Sequence, residues 1–69
     1  MANCFVAGGD LVRWDLTALG QQGPYRLSMH HRHGSIVEYF QNVAEALARE
    51  SQLESLLIAA RTGAHLVEA

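Results

Sequence analysis

The chain contains no lysine, and it has only one cysteine and one proline in 69 residues. A single cysteine, Cys4, cannot form an internal disulfide, and the N-terminus has no basic lead before its short apolar run, so both features predict a cytoplasmic protein. No apolar run approaches the about 20 residues of a membrane span, which predicts a chain that does not enter a membrane. Five arginines against seven acidic residues give a net charge of −2. Because a nucleic-acid-binding protein usually carries a basic excess, this balance disfavours that class.

Catalytic motifs are also missing. The sequence has no G-x-S-x-G, H-E-x-x-H, P-loop or G-x-G-x-x-G pattern. Cys4 with a histidine is a conceivable nucleophilic pair, but a lone cysteine near a terminus is more often a small apolar filler. One sheet and one helix also leave little room for a substrate cleft. The sequence therefore predicts a protein that is not an enzyme and needs no cofactor.

Hydrophobic residues make up 49% of the chain, which is ordinary for a globular protein and argues against disorder. We expect a single domain over residues 1–69. A chain this short buries only about 60% of the surface that its unfolded form exposes, so its core is marginal. This shortage favours self-association.

The first part of the chain has the two-residue alternation of β-strands. A short apolar run from Cys4 to Ala7 predicts a first edge strand that ends at a Gly8-Gly9 turn. The segment from Leu11 to Thr17 is rich in β-branched and aromatic residues and predicts a second strand. The sequence GQQGP at residues 20–24 predicts a loop, because Pro24 has no amide hydrogen for a strand pair. The core face of the second strand is expected to be Val12, Trp14 and Leu16.

The stretch from Tyr25 to Phe40 predicts a β-hairpin, in which Leu27 and Met29 share one face with Tyr25. His33-Gly34 is the expected turn, since glycine accepts the positive φ of a tight hairpin. This turn sets a register in which His31 is opposite Ile36, Met29 opposite Glu38, and Leu27 opposite Phe40.

The register decides which side chains of the last strand face the core. The predicted register places Ile36 and Phe40 there, whereas a three-residue loop would send Val37 and Tyr39 inward instead. In both cases the strand has apolar groups on its two faces. Such a strand is usually central in its sheet, or else its second face contacts a partner.

The run from Val43 to Arg61 predicts one long amphipathic helix. Asn42 is a favourable N-cap with Glu45 three residues later, and Gly63 can end the helix. Glu50 interrupts the apolar stripe and is expected at its edge, near solvent or a sheet arginine. The predicted apolar face comprises Val43, Ala46, Leu47, Leu53, Leu56, Leu57 and Ala60.

Two alternatives concern the second half of the chain. Ser35 and Glu38 also form an S-x-x-E capping pattern, so the helix could begin at Ser35. The β-forming residues from Ile36 to Phe40 argue against that start. The tail HLVEA at residues 65–69 is either a last short strand or a frayed end.

The histidines are the candidate metal ligands. His31 and His33 lie two apart and point the same way from a strand, so they could offer two nitrogens to Zn²⁺ or Ni²⁺, while His30 points to the other face. A third ligand could come from Glu38, which the register places diagonally across from His31, or from Cys4. The alternative is that His31 is a core-edge residue and His33 a turn residue, and we favour it because structural zinc requires four ligands.

One helix can cover only one face of the sheet, so the second face should be an interface between two copies. Apolar and aromatic groups rimmed by arginine are typical of such a surface. A weaker alternative is a nucleic-acid-binding patch through Arg13, Arg26 and Arg32. The predicted interface residues are Leu11, Arg13, Arg26, His30, Val37 and Tyr39.

The sequence therefore predicts an α+β domain, with a three- to four-stranded antiparallel meander and one C-terminal helix packed on one face, in βββα order. Trp14 and Phe40 should both be buried beneath the helix. The expected function is that of a small interaction or regulatory module acting as a homodimer. A metal-responsive protein that uses His31 and His33 is the main alternative.

Overall fold

A computed structural model describes residues 1–62, and the predicted alternatives for the tail at residues 65–69 lie outside the described part. Within residues 1–62 the chain forms one sheet followed by one helix. The strands are β1 (Ala2–Ala7), β2 (Asp10–Ala18), β3 (Tyr25–His31) and β4 (Gly34–Phe40), and the helix is α1 (Val43–Thr62). Their order in the sheet is β1-β2-β3-β4, and every neighbouring pair is antiparallel. The predicted α+β fold with a β-meander and a C-terminal helix is confirmed.

The turn between β1 and β2 is the predicted Gly8-Gly9 pair. Ala7 lies opposite Asp10, so the loop has two residues. Gly8 and Gly9 have φ angles of 60° and 92°. Two consecutive positive φ angles match a type I′ turn, whose twist suits a β-hairpin and which favours glycine at both positions.

The turn between β3 and β4 differs from the prediction. Arg32 and His33 form the loop, and His31 lies opposite Gly34. No residue other than glycine has a positive φ within residues 1–62, and Gly34 has a φ of 143°. Glycine therefore supplies the unusual backbone angle as the first residue of β4 and not inside the loop.

This turn shifts the β3–β4 register by two residues from the predicted one. A shift of two residues changes the cross-strand partners but leaves each side chain on its predicted face. Val37 and Tyr39 consequently point away from the helix, which rules out the three-residue loop. The observed pairs on the helix side are Tyr25 with Phe40, Leu27 with Glu38, and Met29 with Ile36.

The hydrophobic core lies between the sheet and α1. Val12, Leu27 and Met29 are the largest side chains that are fully buried. Trp14 is buried as predicted, at 8% exposure, whereas Phe40 is only half-buried. The expectation for Phe40 was wrong because β4 is an edge strand and has no neighbouring strand on its outer side.

The helix begins where the sequence predicted. The Glu45 N–H donates to Asn42 Oδ1 at 2.9 Å, so Asn42 caps the first turn. Residues 35–40 form a strand, so the alternative helix start at Ser35 is wrong.

The rotation of α1 about its axis is not the predicted one. Ala46 and Leu53 face the sheet, but Leu56 is 57% exposed and Val43 and Ala60 are exposed as well. Glu50, which was expected at the edge, is only 7% exposed. The inward face is therefore a narrower stripe that contains a carboxyl group.

An ion pair between α1 and β4 accompanies this rotation. Arg49 Nε and Nη2 donate to the two carboxylate oxygens of Glu38 at 2.9 and 3.1 Å. A two-pronged pair of this kind fixes orientation as well as distance. The predicted proximity of Glu38 to His31 is thus replaced by a contact with the helix.

Candidate functional site

The candidate site is the face of the sheet that points away from α1, which we call the open face. It consists of even-numbered residues in β1 and β3 and odd-numbered residues in β2 and β4, as the strand register requires. The molecule measures 45 × 21 × 16 Å, and its radius of gyration of 13.2 Å exceeds the about 11 Å of a compact chain of this length. The described chain is therefore an elongated, two-layer molecule in which α1 covers one face of the sheet.

Large apolar side chains stand exposed at two corners of the open face. Val6 and Leu11 lie near the β1–β2 turn, with exposures of 62% and 52%, and Val37 and Tyr39 lie on β4, with exposures of 48% and 62%. The six predicted interface residues all lie on this face. Sequence reasoning missed Val6, because the alternation in β1 is too short to assign a face to it.

Polar side chains cross the open face between these corners. Cys4, Arg13, His30 and Ser35 are direct cross-strand neighbours in one row. His30 Nδ1 and Ser35 Oγ are hydrogen-bonded at 2.9 Å. Cys4 and His30 are separated by Arg13 and by two strand spacings of roughly 5 Å each, so the thiol and the imidazole are not an adjacent nucleophilic pair.

A shallow depression of about 410 Å³ lies over the β1 end of this row. The exposed thiol of Cys4 borders it, together with Arg13, Asp15 and His30. These groups carry charges of both signs, so they do not select an anionic or a cationic ligand. The depression makes the surface uneven without defining a binding site by itself.

A further row, beyond that of Asp15, Ser28 and Val37, contains Thr17, Arg26 and Tyr39. The Arg26 side chain is half-buried, and its Nε atom is buried without a hydrogen-bond partner within residues 1–62. A buried donor without a partner carries a desolvation penalty. A further contact on the β4 side of the open face, beside the exposed Tyr39, would therefore be stabilising if it supplied a hydrogen-bond acceptor to Arg26 Nε.

The three arginines of the predicted nucleic-acid patch do not form one cluster. Arg13 and Arg26 lie on the open face, but Arg32 lies in the β3–β4 turn. Arg32 Nη1 is 3.6 Å from Asp10 Oδ1. Arg32 points to Asp10, which is the strand partner of the buried Ala7. The basic patch is therefore smaller than the set of three arginines that the sequence suggested.

The candidate metal ligands are also dispersed. The His33 N–H donates to His31 Nδ1 at 3.3 Å, so one of the nitrogens that a metal would need accepts a hydrogen bond. Glu38 is held by Arg49, and Cys4 lies on the opposite face of the sheet from His31. Within residues 1–62, no three His, Cys, Asp or Glu side chains are grouped so that they could hold a metal ion.

Glu50 is the buried ionisable group of the helix–sheet interface. Burial, a hydrogen bond with Glu54 and the charge of Glu54 raise the Glu50 pKa to about 7. Its Oε2 atom is buried and has no hydrogen-bond partner within the described residues. The sequence signal for this group was the interruption of the apolar stripe, but it did not tell which way the helix was turned.

The fold defines the chain as a small α+β protein with an open-faced antiparallel sheet. The one helix within residues 1–62, α1, is not long and apolar enough to cross a membrane. No protein-family model, curated protein or solved structure that was compared with the chain matches it. The open face and its edges are therefore the features of the described chain that bear on its function.

Proposed function

We propose that this chain is a small, non-enzymatic interaction module of the cytoplasm that acts as a homodimer. The contact would be made on the side of the open face that carries Val37 and Tyr39. The observation that supports the proposal is the exposure of four large apolar side chains on one face of a sheet whose other face packs against α1. Apolar and aromatic groups beside arginines are typical of the centre of a protein interface.

The small core gives a second reason for self-association. Only eight hydrophobic residues are buried within the described chain, and two of them are alanines. Chains of this size are usually stabilised by cross-links, a metal or oligomerisation. Cys4 is a free thiol, so an internal disulfide is not the source of stability.

Tyr39→Glu should convert the homodimer into a folded monomer. The substitution puts a carboxylate at the proposed contact, where the second copy would remove part of its hydration, whereas in a monomer it remains in water at almost no cost. In a contact about a two-fold axis, each of the two copies carries the substitution at the interface. Sedimentation equilibrium from tens of micromolar to millimolar concentration should give a mass that rises toward that of the dimer for the native chain, and about 7.6 kDa throughout for the variant.

Leu56→Glu is the matched control for this experiment. Leu56 is similarly exposed, at 57%, but lies on the helix and away from the open face. We expect the control variant to stay dimeric. A native chain that sediments as a monomer at all these concentrations would overturn the homodimer proposal.

The metal-binding alternative makes a different prediction. Zn²⁺ at micromolar concentration should leave the melting temperature unchanged, because His31 and His33 lack further ligands among the described residues. Thermal melting with and without Zn²⁺ measures this directly. A saturable increase that disappears in a His31→Ala, His33→Ala double variant would instead make metal binding the leading function.

A further inference from the structure

The two edges of the sheet differ in the hydrogen-bonding groups that they present. β1 and β4 are the edge strands. In an antiparallel pair, hydrogen-bonded and non-hydrogen-bonded residue pairs alternate, so every second residue of an edge strand directs its N–H and C=O outward. The register identifies which residues these are on each edge.

On β4, the outward groups belong to Ser35, Val37 and Tyr39. His31 and Gly34 close a two-residue turn and form a hydrogen-bonded pair, so the even-numbered residues of β4 bond to β3. The side chains of the outward-bonding residues lie on the open face and carry no charge. The charged residue of this strand, Glu38, points to the helix and is neutralised by Arg49.

On β1, by contrast, the central outward donor already has a partner. Leu16 N–H donates to the Met1 carbonyl at 2.7 Å, so the odd-numbered residues of β1 bond to β2. The backbone N–H and C=O groups of Ala2, Cys4 and Val6 therefore point outward. The Cys4 N–H donates to Asn3 Oδ1 at 2.8 Å. Within residues 1–62, no side chain makes the equivalent bond to Val37 at the centre of β4.

Natural proteins protect edge strands with lysine, proline, bulges or short length, because an unprotected edge pairs with another strand. β4 has seven residues and neither lysine nor proline. Its residue composition, with Ile36, Val37, Tyr39 and Phe40, favours strand pairing. Within residues 1–62, the edge of β4 thus has none of these protecting features.

We propose that two copies of this chain join edge to edge through β4, antiparallel about a two-fold axis at Val37, to form one continuous eight-stranded sheet. This inference rests on the proposed homodimer and specifies its geometry. Val37 is the middle residue of Gly34–Phe40, so this register pairs the whole strand with its copy, and Ser35 lies opposite Tyr39 of the second copy. Each outward N–H then meets an outward C=O, giving about six backbone hydrogen bonds.

Edge pairing predicts a contact that is confined to the β4 side of the sheet. Val37 and Tyr39 lie at the junction, but Val6 and Leu11 lie at the far side of the sheet and stay outside it. A face-to-face stack of the two open faces would instead cover Leu11. One paired strand is small beside the roughly 1,600 Å² of a standard interface, so we expect association in the range of tens to hundreds of micromolar.

The test compares variants at Val37, inside the proposed contact, with a variant at Leu11, outside it. Sedimentation equilibrium is the measurement, and Cys4→Ser is the common background. Val37→Pro removes the central outward N–H at a position where an edge strand tolerates proline, and Val37→Lys places two like charges across the two-fold axis. Both should weaken dimerisation at least tenfold. Val37→Thr, which keeps the N–H and the β-branch, and Leu11→Glu should remain dimeric.

A cysteine at the axis gives a positive readout that does not depend on the stability of the proline variant. Residues in a hydrogen-bonded antiparallel pair have Cα atoms about 5.5 Å apart, within the range that a disulfide spans. In the Cys4→Ser background, Val37→Cys should form a covalent dimer under mild oxidation, and Leu11→Cys should not.

The outcomes separate this inference from the proposal on which it rests. A dimer that is disrupted by Leu11→Glu but not by Val37→Lys would overturn edge pairing and leave the homodimer in place, as a face-to-face stack. A native chain that is monomeric up to millimolar concentration would overturn both.

Discussion

Leu27→Ala should lower the free energy of unfolding by about 2–5 kcal/mol, which is the usual cost of removing a buried leucine side chain and leaving a cavity. Leu27 is 1% exposed, and it lies on β3 in the interior of the sheet, between Leu16 of β2 and Glu38 of β4. A cavity at this place cannot be filled without moving the sheet or the helix. Chemical denaturation followed by circular dichroism measures the change.

The matched control is Leu56→Ala, since it makes the same chemical change on the exposed side of α1. With Leu56 57% exposed, its removal should change the free energy of unfolding by no more than about 0.5 kcal/mol. The sequence placed both leucines on the core side, so the comparison also tests the observed rotation of the helix. Equal losses for the two variants would contradict that rotation.

Glu50→Gln should stabilise the fold at alkaline pH and have little effect near pH 5. The pKa of Glu50 is raised to about 7 in the folded chain, chiefly by burial, from an ordinary value of 4.5. The folded state therefore binds a proton more tightly than the unfolded state does. At pH 9 the native carboxyl is charged and buried, and glutamine, which keeps the shape without the charge, should gain about 2 kcal/mol.

The difference in proton binding between the folded and unfolded states also determines the sign of the pH dependence. Between pH 4.5 and pH 7 the folded state holds more protons than the unfolded state at Glu50, so the free energy of unfolding should fall as the pH rises through this window and level off above it. Denaturation curves from pH 4.5 to pH 9 should show this fall in the native chain and a smaller one in Glu50→Gln.

Glu45→Gln is the control for the pH experiment. Glu45 lies exposed in the first turn of the same helix, where its charge interacts favourably with the helix dipole. Its substitution should cost a few tenths of a kcal/mol and leave the fall between pH 4.5 and pH 7 in place. A Glu50→Gln variant with an unchanged pH profile would show that another group controls it.

Local patterns predicted the elements of this fold and the faces of its strands. Alternation identified Val12, Trp14 and Leu16 as core residues, and the Asn42 cap located the start of α1. These features depend on residues that are close in sequence, where the periodicity of the backbone alone determines direction. The open face was predictable for the same reason, because it is the complement of the core face.

Features that depend on contacts between distant residues were not predictable in this way. The pair between Arg49 and Glu38 joins the helix to β4 and goes together with the inward position of Glu50, and no local pattern contains it. The β3–β4 register depended on whether Gly34 lay within the loop or after it. Either choice satisfies the requirement for a positive φ, so sequence reasoning could not distinguish the two.

The order of the strands also bears on how the chain folds during synthesis. Each strand pairs with the one before it, so the whole meander can form while the chain emerges, whereas α1 comes last and packs against β1, β3 and β4. At roughly 5–20 residues per second, making the 20 residues of α1 takes about one to four seconds. During that interval Val12, Leu27 and Met29 have no covering layer, and the nascent sheet exposes apolar groups on both sides. We therefore expect the sheet to be prone to aggregation until α1 packs against it.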